Sequence, residues 1–284
     1  MPSELLPFFS KYWHYVILGI ASYCLVNFLW NRKKKSECEN ENENDEDIFD
    51  KTADEDDLPA LPKDLEHISF VYDRPSEEEM KKRSREFYAI SNARRTIRFF
   101  SPDPVPIGVI HDIIGAAGTA PSGAHTEPWT FVVVSNDKMK AKIREIVERE
   151  EQQNYLKRMG KKWTRDLTPL KTNWVKDYLT VAPYLIFVFK QTYGILPDGR
   201  KKNHYYHEMS VAIACGVLLT AIQYAGLVTL TSTPLNCGPA LRCLLGRPPL
   251  EKLCLLLPVG YPAIDATVPN LHRKPLADIL VEFT

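Results

Sequence analysis

The 284 residues balance to a formal net charge of zero, 36 Lys+Arg against 36 Asp+Glu, yet the balance hides a split. Residues 1–57 carry 6 basic and 13 acidic residues, a net of −7, which leaves 30 and 23 in 58–284, a net of +7. A mildly basic body suits an anionic, phosphate-bearing ligand. With no basic stripe among aromatics and no zinc-finger spacing, neither nucleic-acid binding nor a metal site is expected. Six scattered cysteines (Cys24, Cys38, Cys215, Cys237, Cys243, Cys254) without a C-x-x-C pair exclude a disulfide framework and point to a reducing compartment for the body of the chain.

Tyr12 to Trp30, "YWHYVILGIASYCLVNFLW", is 19 residues with no formal charge. As a helix it would be about 28 Å long, close to the hydrocarbon thickness of a bilayer. Aromatics sit at both ends, and "NRKKK" follows at once, so positive-inside leaves the rest of the chain cytoplasmic. A cleaved signal peptide is the competing reading. The basic flank on the wrong side and the lack of an A-x-A-like site oppose it. Residues 36–57 then hold 12 acidic residues and almost no apolar ones, too little to order a core. The expected layout is a membrane anchor with basic flank over 1–35, an acidic, largely disordered tether over 36–75, and a catalytic domain over 76–284.

From Ser76 the pattern becomes globular. "SEEEMKKRSREFYAISNARR" predicts a helix capped by Ser76, with Met80, Phe87 and Ile90 on one face. "PIGVIHDIIGAAG" predicts a second, with Pro106 near its start. "WTFVVVSN" and "APYLIFVFK" read as strands, separated by a long charged amphipathic helix from Asp137 to Gly160. The apolar helix 204–225, apolar enough through its second half to be buried nearly all round, is followed by strands in "GLVTLTST" and "EKLCLLLPVGYP". Helices alternating with apolar strands predict a sheet with helices packed on it. No G-x-G-x-x-G follows a strand and no P-loop occurs, which argues against a Rossmann nucleotide site.

Three stretches carry chemistry. "RRTIR" places Arg94, Arg95 and Arg98 together; guanidinium forks suit bidentate phosphate recognition, although such arginines are commonly only solvated. "TAPSGAHTEPWTF" puts Pro121, Ser122, Gly123 and Ala124 between a helix and a strand. Small side chains there would let a flat ligand approach donating amides; a plain chain-reversing turn is the alternative, and Trp129 reads as core rather than stacking partner. On the charged helix, Glu151 and Tyr155 are spaced i, i+4 and share a face, and Lys176 lies 25 residues beyond Glu151. An anion, a hydroxyl and a cation would suit an amino acid zwitterion, though spacing alone equally fits solvated charges.

"RRTIR", "TAPSGAHTEPWTF" and "TLTSTPLNCGP", in this order, resemble the FMN-dependent nitroreductase superfamily, in its membrane-anchored dehalogenating branch, from about Leu58 to the C-terminus. The resemblance implies an α+β nitroreductase-like fold with a central mixed, mostly antiparallel sheet flanked by helices. It also implies a swapped homodimer in which helix 204–225 supplies much of the contact, preceded by one N-terminal transmembrane helix. FMN would be held by Arg94, Arg95, Thr96, Ile97, Arg98, Ser122, Gly123, Thr231, Ser232, Thr233 and Arg273. Thr233 would hydrogen-bond flavin N5 and favour one-electron transfer, and the Ala124 N–H would receive a phenolate. Glu151, Tyr155 and Lys176 would form a lid on the substrate zwitterion. The implied reaction is reductive dehalogenation of mono- and diiodotyrosine to tyrosine and iodide. NADPH would be the overall reductant, through a separate reductase if need be, and the membrane that of the cell surface or of intracellular vesicles. A tethered nitro- or quinone reductase without amino acid specificity, and a non-catalytic flavin- or iodotyrosine-binding protein, are the rival readings.

Overall fold

The strands β1 (Trp129–Val134), β2 (Tyr184–Gln191), β5 (Val228–Thr229) and β6 (Glu251–Gly260) form one sheet in the order β1-β2-β6-β5. Two short strands, β3 (Tyr193–Ile195) and β4 (Lys201–Asn203), pair separately. The central strands read as unbroken apolar runs because both their faces are covered. Successive side chains of β2 go to opposite sides. Leu185, Phe187 and Phe189 join one buried cluster, Ile186 and Val188 the other. The computed structural model describes residues 15, 18–29, 61–196 and 198–284.

The first cluster packs against α3 (Asp137–Gln153) through Ile143 and Val147, and α7 (Gly238–Leu244) through Leu241. Behind the second lie α2 (Ile107–Gly118), through Ile110, Ile113 and Ala117, and α6 (His207–Tyr224), through Val211, Cys215, Leu218 and Ile222. That spacing is one helical stripe, so α6 buries a single face and leaves Met209 and Ile213 exposed. Trp129 packs on this second cluster and is a core residue. The first helix of the domain, α1 (Glu77–Ala93), is capped as its sequence predicts, Ser76 Oγ accepting from Glu79 N at 3.2 Å. It buries no residue, however, and the face bearing Met80 and Phe87 is exposed.

Three expectations are corrected. The paired strands are all antiparallel; the parallel component among the described residues is one bridge, Thr96 to Thr229. "GLVTLTST" is not a full strand: after Thr229 only Ser232 pairs again, with Leu256. Pro258, next on the partner strand, has no N–H to offer, and the Thr229 hydroxyl instead donates to its carbonyl at 2.7 Å. Finally, the long charged helix does not continue unbroken from Asp137. After Gln153 the chain widens into a π-helical turn, Asn154–Arg158, closed by Met159 N to the Asn154 carbonyl at 2.9 Å. Gly160, at φ +73°, then opens α4 (Gly160–Leu167).

The chain divides into two units, Met1–Lys51 and Thr52–Thr284. In the first, residues 18–29 are helical and Leu18, Ile20, Tyr23, Leu25 and Phe28 are exposed. No helix among the described residues is long and apolar enough to cross a membrane. The expected span 12–30 is only partly within those residues, and the acidic stretch 36–57 lies wholly outside them.

Candidate active site

Past α1 the chain runs extended, and Ile97 N donates to the Thr229 carbonyl at 3.2 Å, laying 94–98 beside β5. The buried Ile97 anchors this stretch in the core. Arg273 reaches back from the C-terminal segment, Nη2 donating to the Arg94 carbonyl at 2.8 Å and Nε to Asn92 Oδ1 at 3.2 Å. Arg95 donates to the Pro269 carbonyl. Among the described residues, none of Arg94, Arg95, Arg98 and Arg273 is paired with a carboxylate. Partial burial, then the neighbouring Arg273 and Arg95, hold the Arg94 guanidinium below its usual range. Three like charges brought together without a counter-charge form a cradle for a multiply charged anion, and the forked guanidinium geometry fits a phosphate. The donor set therefore fits the phosphate of FMN.

The turn after α2 is strained. Ala124, His125 and Glu127 have φ of 49°, 52° and 46°, a left-handed conformation that costs non-glycine residues about 1–3 kcal/mol each. Local bonds enforce it: Ser122 Oγ accepts from Glu127 N at 2.9 Å, and Thr126 Oγ1 donates to the Gly123 carbonyl at 2.8 Å. The exposed Ala124 is left with a backbone N–H that no described residue accepts. Gly123 is also required to be small by the chain's own packing. A Cβ there would lie 2.7 Å from the Tyr205 carbonyl oxygen, and Gly123 N faces Ser210 Oγ at 3.4 Å. Thus Ser122, Gly123 and Ala124 are docked on the entry to α6. Within the protomer, no hydrogen bond or ion pair among the described residues links them to the arginines or to Glu151, Tyr155 and Lys176.

Those last three residues do meet. Lys176, 6% exposed, places Nζ 3.5 Å from Glu151 Oε2, and Glu151 is 7% exposed. The same ammonium lies 5.5 Å from the centre of the Tyr155 ring and donates to the Asn173 carbonyl at 2.5 Å. Tyr155 stands in the π-helical turn, so its approach to Glu151 is not the simple α-helical neighbourhood that the spacing implies. Burial lowers the Lys176 pKa, with Glu151 opposing the shift, and burial raises that of the Tyr155 phenol. The segment carrying Lys176 is fastened to α3: Lys176 N donates to Glu148 Oε1 at 2.7 Å, and Arg144 holds Glu148 at 2.8 Å and also Asp177.

Ser232 is pinned to β6 by Leu256 in both directions, at 3.1 and 2.8 Å, while Thr231 and Thr233 on either side are exposed. Tyr178, which the sequence reading passed over, is buried, and burial raises its phenol pKa. Arg98 acts electrostatically on Tyr155, Lys176 and Tyr178. The helix carrying Glu151 is joined to the loop after Thr233 by Asn154 Nδ2, which donates to the Leu235 carbonyl at 3.2 Å, and the arginine stretch runs beside β5, which leads into that loop. A cavity of about 90 Å³ is lined by Arg98, Leu170, Lys171 and Thr267–Pro269. It is far below the roughly 300 Å³ of a small-molecule site, so a flavin requires surface beyond it. The buried cysteines stay apart from this chemistry: burial raises Cys215 to about 11 and Cys237 to about 12, as inert small hydrophobes.

A profile of the nitroreductase family matches residues 92–261, and the chain belongs to that family. Its similarity concentrates in one branch. It is 58% identical over 255 residues to iodotyrosine deiodinase 1 of Mus musculus, covering 88% of this chain and 90% of that protein. To iodotyrosine deiodinase of Hydra vulgaris it is 63% identical over 228 residues, covering 80% and 83%. Among solved structures it is similar to an oxidized iodotyrosine deiodinase bound to FMN and 3-iodo-L-tyrosine. That likeness has TM-score 0.60 and 29% identity, over 70% of this chain and 98% of that one. Identity of this size over most of both chains places the protein among the iodotyrosine deiodinases.

Proposed function

We propose that this chain is an FMN-dependent oxidoreductase that reductively removes iodide from mono- and diiodotyrosine, leaving tyrosine. The observation that carries the reading is the buried Glu151–Lys176 pair beneath Tyr155, next to an uncompensated arginine cradle. Arg94, Arg95, Arg98 and Arg273 hold the phosphate; Thr96 and Ile97 contribute backbone, and Ser122, Gly123, Thr231, Ser232 and Thr233 line the ring system. Bound FMN supplies the electrons. The chain's own residues bind and orient. The substrate ammonium takes the place of Lys176 at Glu151, its carboxylate goes to Lys176, and Tyr155 covers both. The unsatisfied Ala124 N–H receives the phenolate, and Thr233 donates toward flavin N5. Positioning is the main catalytic contribution, and lid closure on the zwitterion ties specificity to water exclusion.

The working unit in this reading is a homodimer. Exposed Met209 and Ile213 on α6, and Ile279, Val281 and Phe283 at the C-terminus, support it by offering apolar surface that needs cover. NADPH is the overall reductant, delivered through a separate reductase. Residues 12–30 anchor the chain as a single pass in the plasma membrane or a vesicle membrane, with the domain cytoplasmic. That assignment rests on the uncharged run and its basic flank. A direct test loads the purified protein with FMN and titrates 3-iodotyrosine and 2-iodophenol, following flavin fluorescence. Saturable quenching by iodotyrosine with a much weaker response to iodophenol is expected. Equal responses would leave a nitro- or quinone reductase.

A further inference from the structure

Asn154 is buried to 1% exposure in the π-helical turn, and the substrate site just described assigns it no role. A buried amide costs stability unless its polar atoms are met. Here all four bonding positions are used. Nδ2 donates to Glu151 Oε1 at 3.2 Å and to the Leu235 carbonyl at 3.2 Å. Oδ1 accepts from Arg158 Nη1 at 3.0 Å and from Asn236 Nδ2 at 3.2 Å. Only one orientation of the amide satisfies this set, since a flipped side chain would set oxygen against a carboxylate and a carbonyl. The widened turn belongs to the same arrangement, the Asn154 carbonyl receiving Met159 N rather than the next residue of an α-ladder.

These bonds divide the Glu151 carboxylate between two partners. Oε1 is held by Asn154, and Oε2 faces the Lys176 ammonium. With one oxygen fixed, the carboxylate cannot rotate its other oxygen away from an incoming cation. The remaining bonds run to Leu235 and Asn236, two and three residues beyond Thr233. We infer that Asn154 is a positioning residue that aims the Glu151 carboxylate at the substrate ammonium and fastens the lid helix to the loop that follows Thr233. The inference rests on the reading of Glu151 and Lys176 as the zwitterion-binding residues.

The decisive variant is Asn154→Asp. It keeps an acceptor for Arg158 and Asn236 but replaces the donor to Glu151 with a second carboxylate. The other titratable groups facing this point are Arg158 with its partner Glu150, Tyr155, Lys176 and Tyr178, Arg98, and the Cys237 thiol. In the FMN-loaded full chain near neutral pH, 3-iodotyrosine affinity is expected to fall about tenfold or more. Affinity for 2-iodophenol, which has no ammonium, stays within about twofold. As pH is lowered, the variant-to-parent affinity ratio should recover, because two adjacent carboxylates share one proton and the protonated side chain donates again. A purely structural Asn154 would weaken both ligands alike and give a ratio flat with pH; either result overturns the inference. Asn154→Ala, measured in parallel, should show the same ligand selectivity without the pH recovery; if it fails to fold, Asn154→Asp decides alone. Lys176→Ala separates the two levels of the argument. If it leaves iodotyrosine affinity intact, the substrate site itself is wrong and this role falls with it; if only Asn154→Asp leaves affinity intact, Asn154 alone is misassigned.

Discussion

The arginine cradle and the lid handle charge in opposite ways. Glu151 and Lys176 neutralise each other inside the protein at 3.5 Å. Arg94, Arg95 and Arg273 crowd together with no carboxylate, and partial burial with the two neighbouring guanidinium groups lowers the Arg94 pKa. A self-neutral pair is stable with or without ligand and can exchange its internal partner for a substrate's charges. A cluster of like charges is stable only with an anion in place. In the proposed function the difference corresponds to a substrate that comes and goes and a prosthetic group that stays. It also predicts that mutations in the two regions separate cleanly, each affecting one ligand.

The largest effect should come from Lys176→Ala, which leaves a buried carboxylate without its cation, a change that costs about 3–5 kcal/mol where the charge is retained. Iodotyrosine affinity by fluorescence titration should fall by two orders of magnitude or so, while flavin absorbance shows FMN retained. Loss of both ligands together would erase the contrast. Arg94→Ala should do the reverse: removing a charge-assisted contact of about 2 kcal/mol weakens FMN roughly thirtyfold. Once the variant is saturated with excess FMN, iodotyrosine binding should return. Thr233→Ala tests the meeting point of the two regions. It should slow deiodination about tenfold with both equilibrium affinities kept, measured as iodide released per flavin.

How much of this was legible in the sequence follows the range of the interactions involved. The cap at Ser76 and the core strands depend on near neighbours and on period, so they could be read directly, whereas α6, apolar enough to suggest burial nearly all round, buries one face only. The cluster Glu151, Tyr155 and Lys176 was reachable only through family resemblance, because nothing in the spacing says that the chain after α4 folds back on α3. The π-helical turn and Asn154 were not legible. An asparagine among charged residues looks solvated, and its bonds to Leu235 and Asn236 span some eighty positions of chain. The break after Thr229 had a local cause, Pro258, but on the opposite strand, visible only once the register is known. The packing that requires a glycine at 123 was not legible either, since its neighbour Tyr205 lies far along the chain.

The mildest test of the contrast is pH. Burial lowers the Lys176 pKa below the ordinary 10.5, against the opposing pull of Glu151. Because the folded value is depressed, the unfolded chain binds more protons between the two values, and the stability lost to burying this charge is regained as pH rises through that window. Ligand binding responds with the opposite sign, since a neutral Lys176 no longer attracts the substrate carboxylate. Iodotyrosine affinity should therefore decline on the alkaline side at a pH below 10.5, although the substrate phenolate is then fully formed. The substrate amine titrates in the same direction, so the profile of one protein is ambiguous. Lys176→Arg resolves it: a guanidinium stays charged throughout, and the alkaline limb should flatten to what the amine alone imposes. An unmoved limb would mean that Lys176 keeps its proton in this range and that Glu151, not burial, governs it.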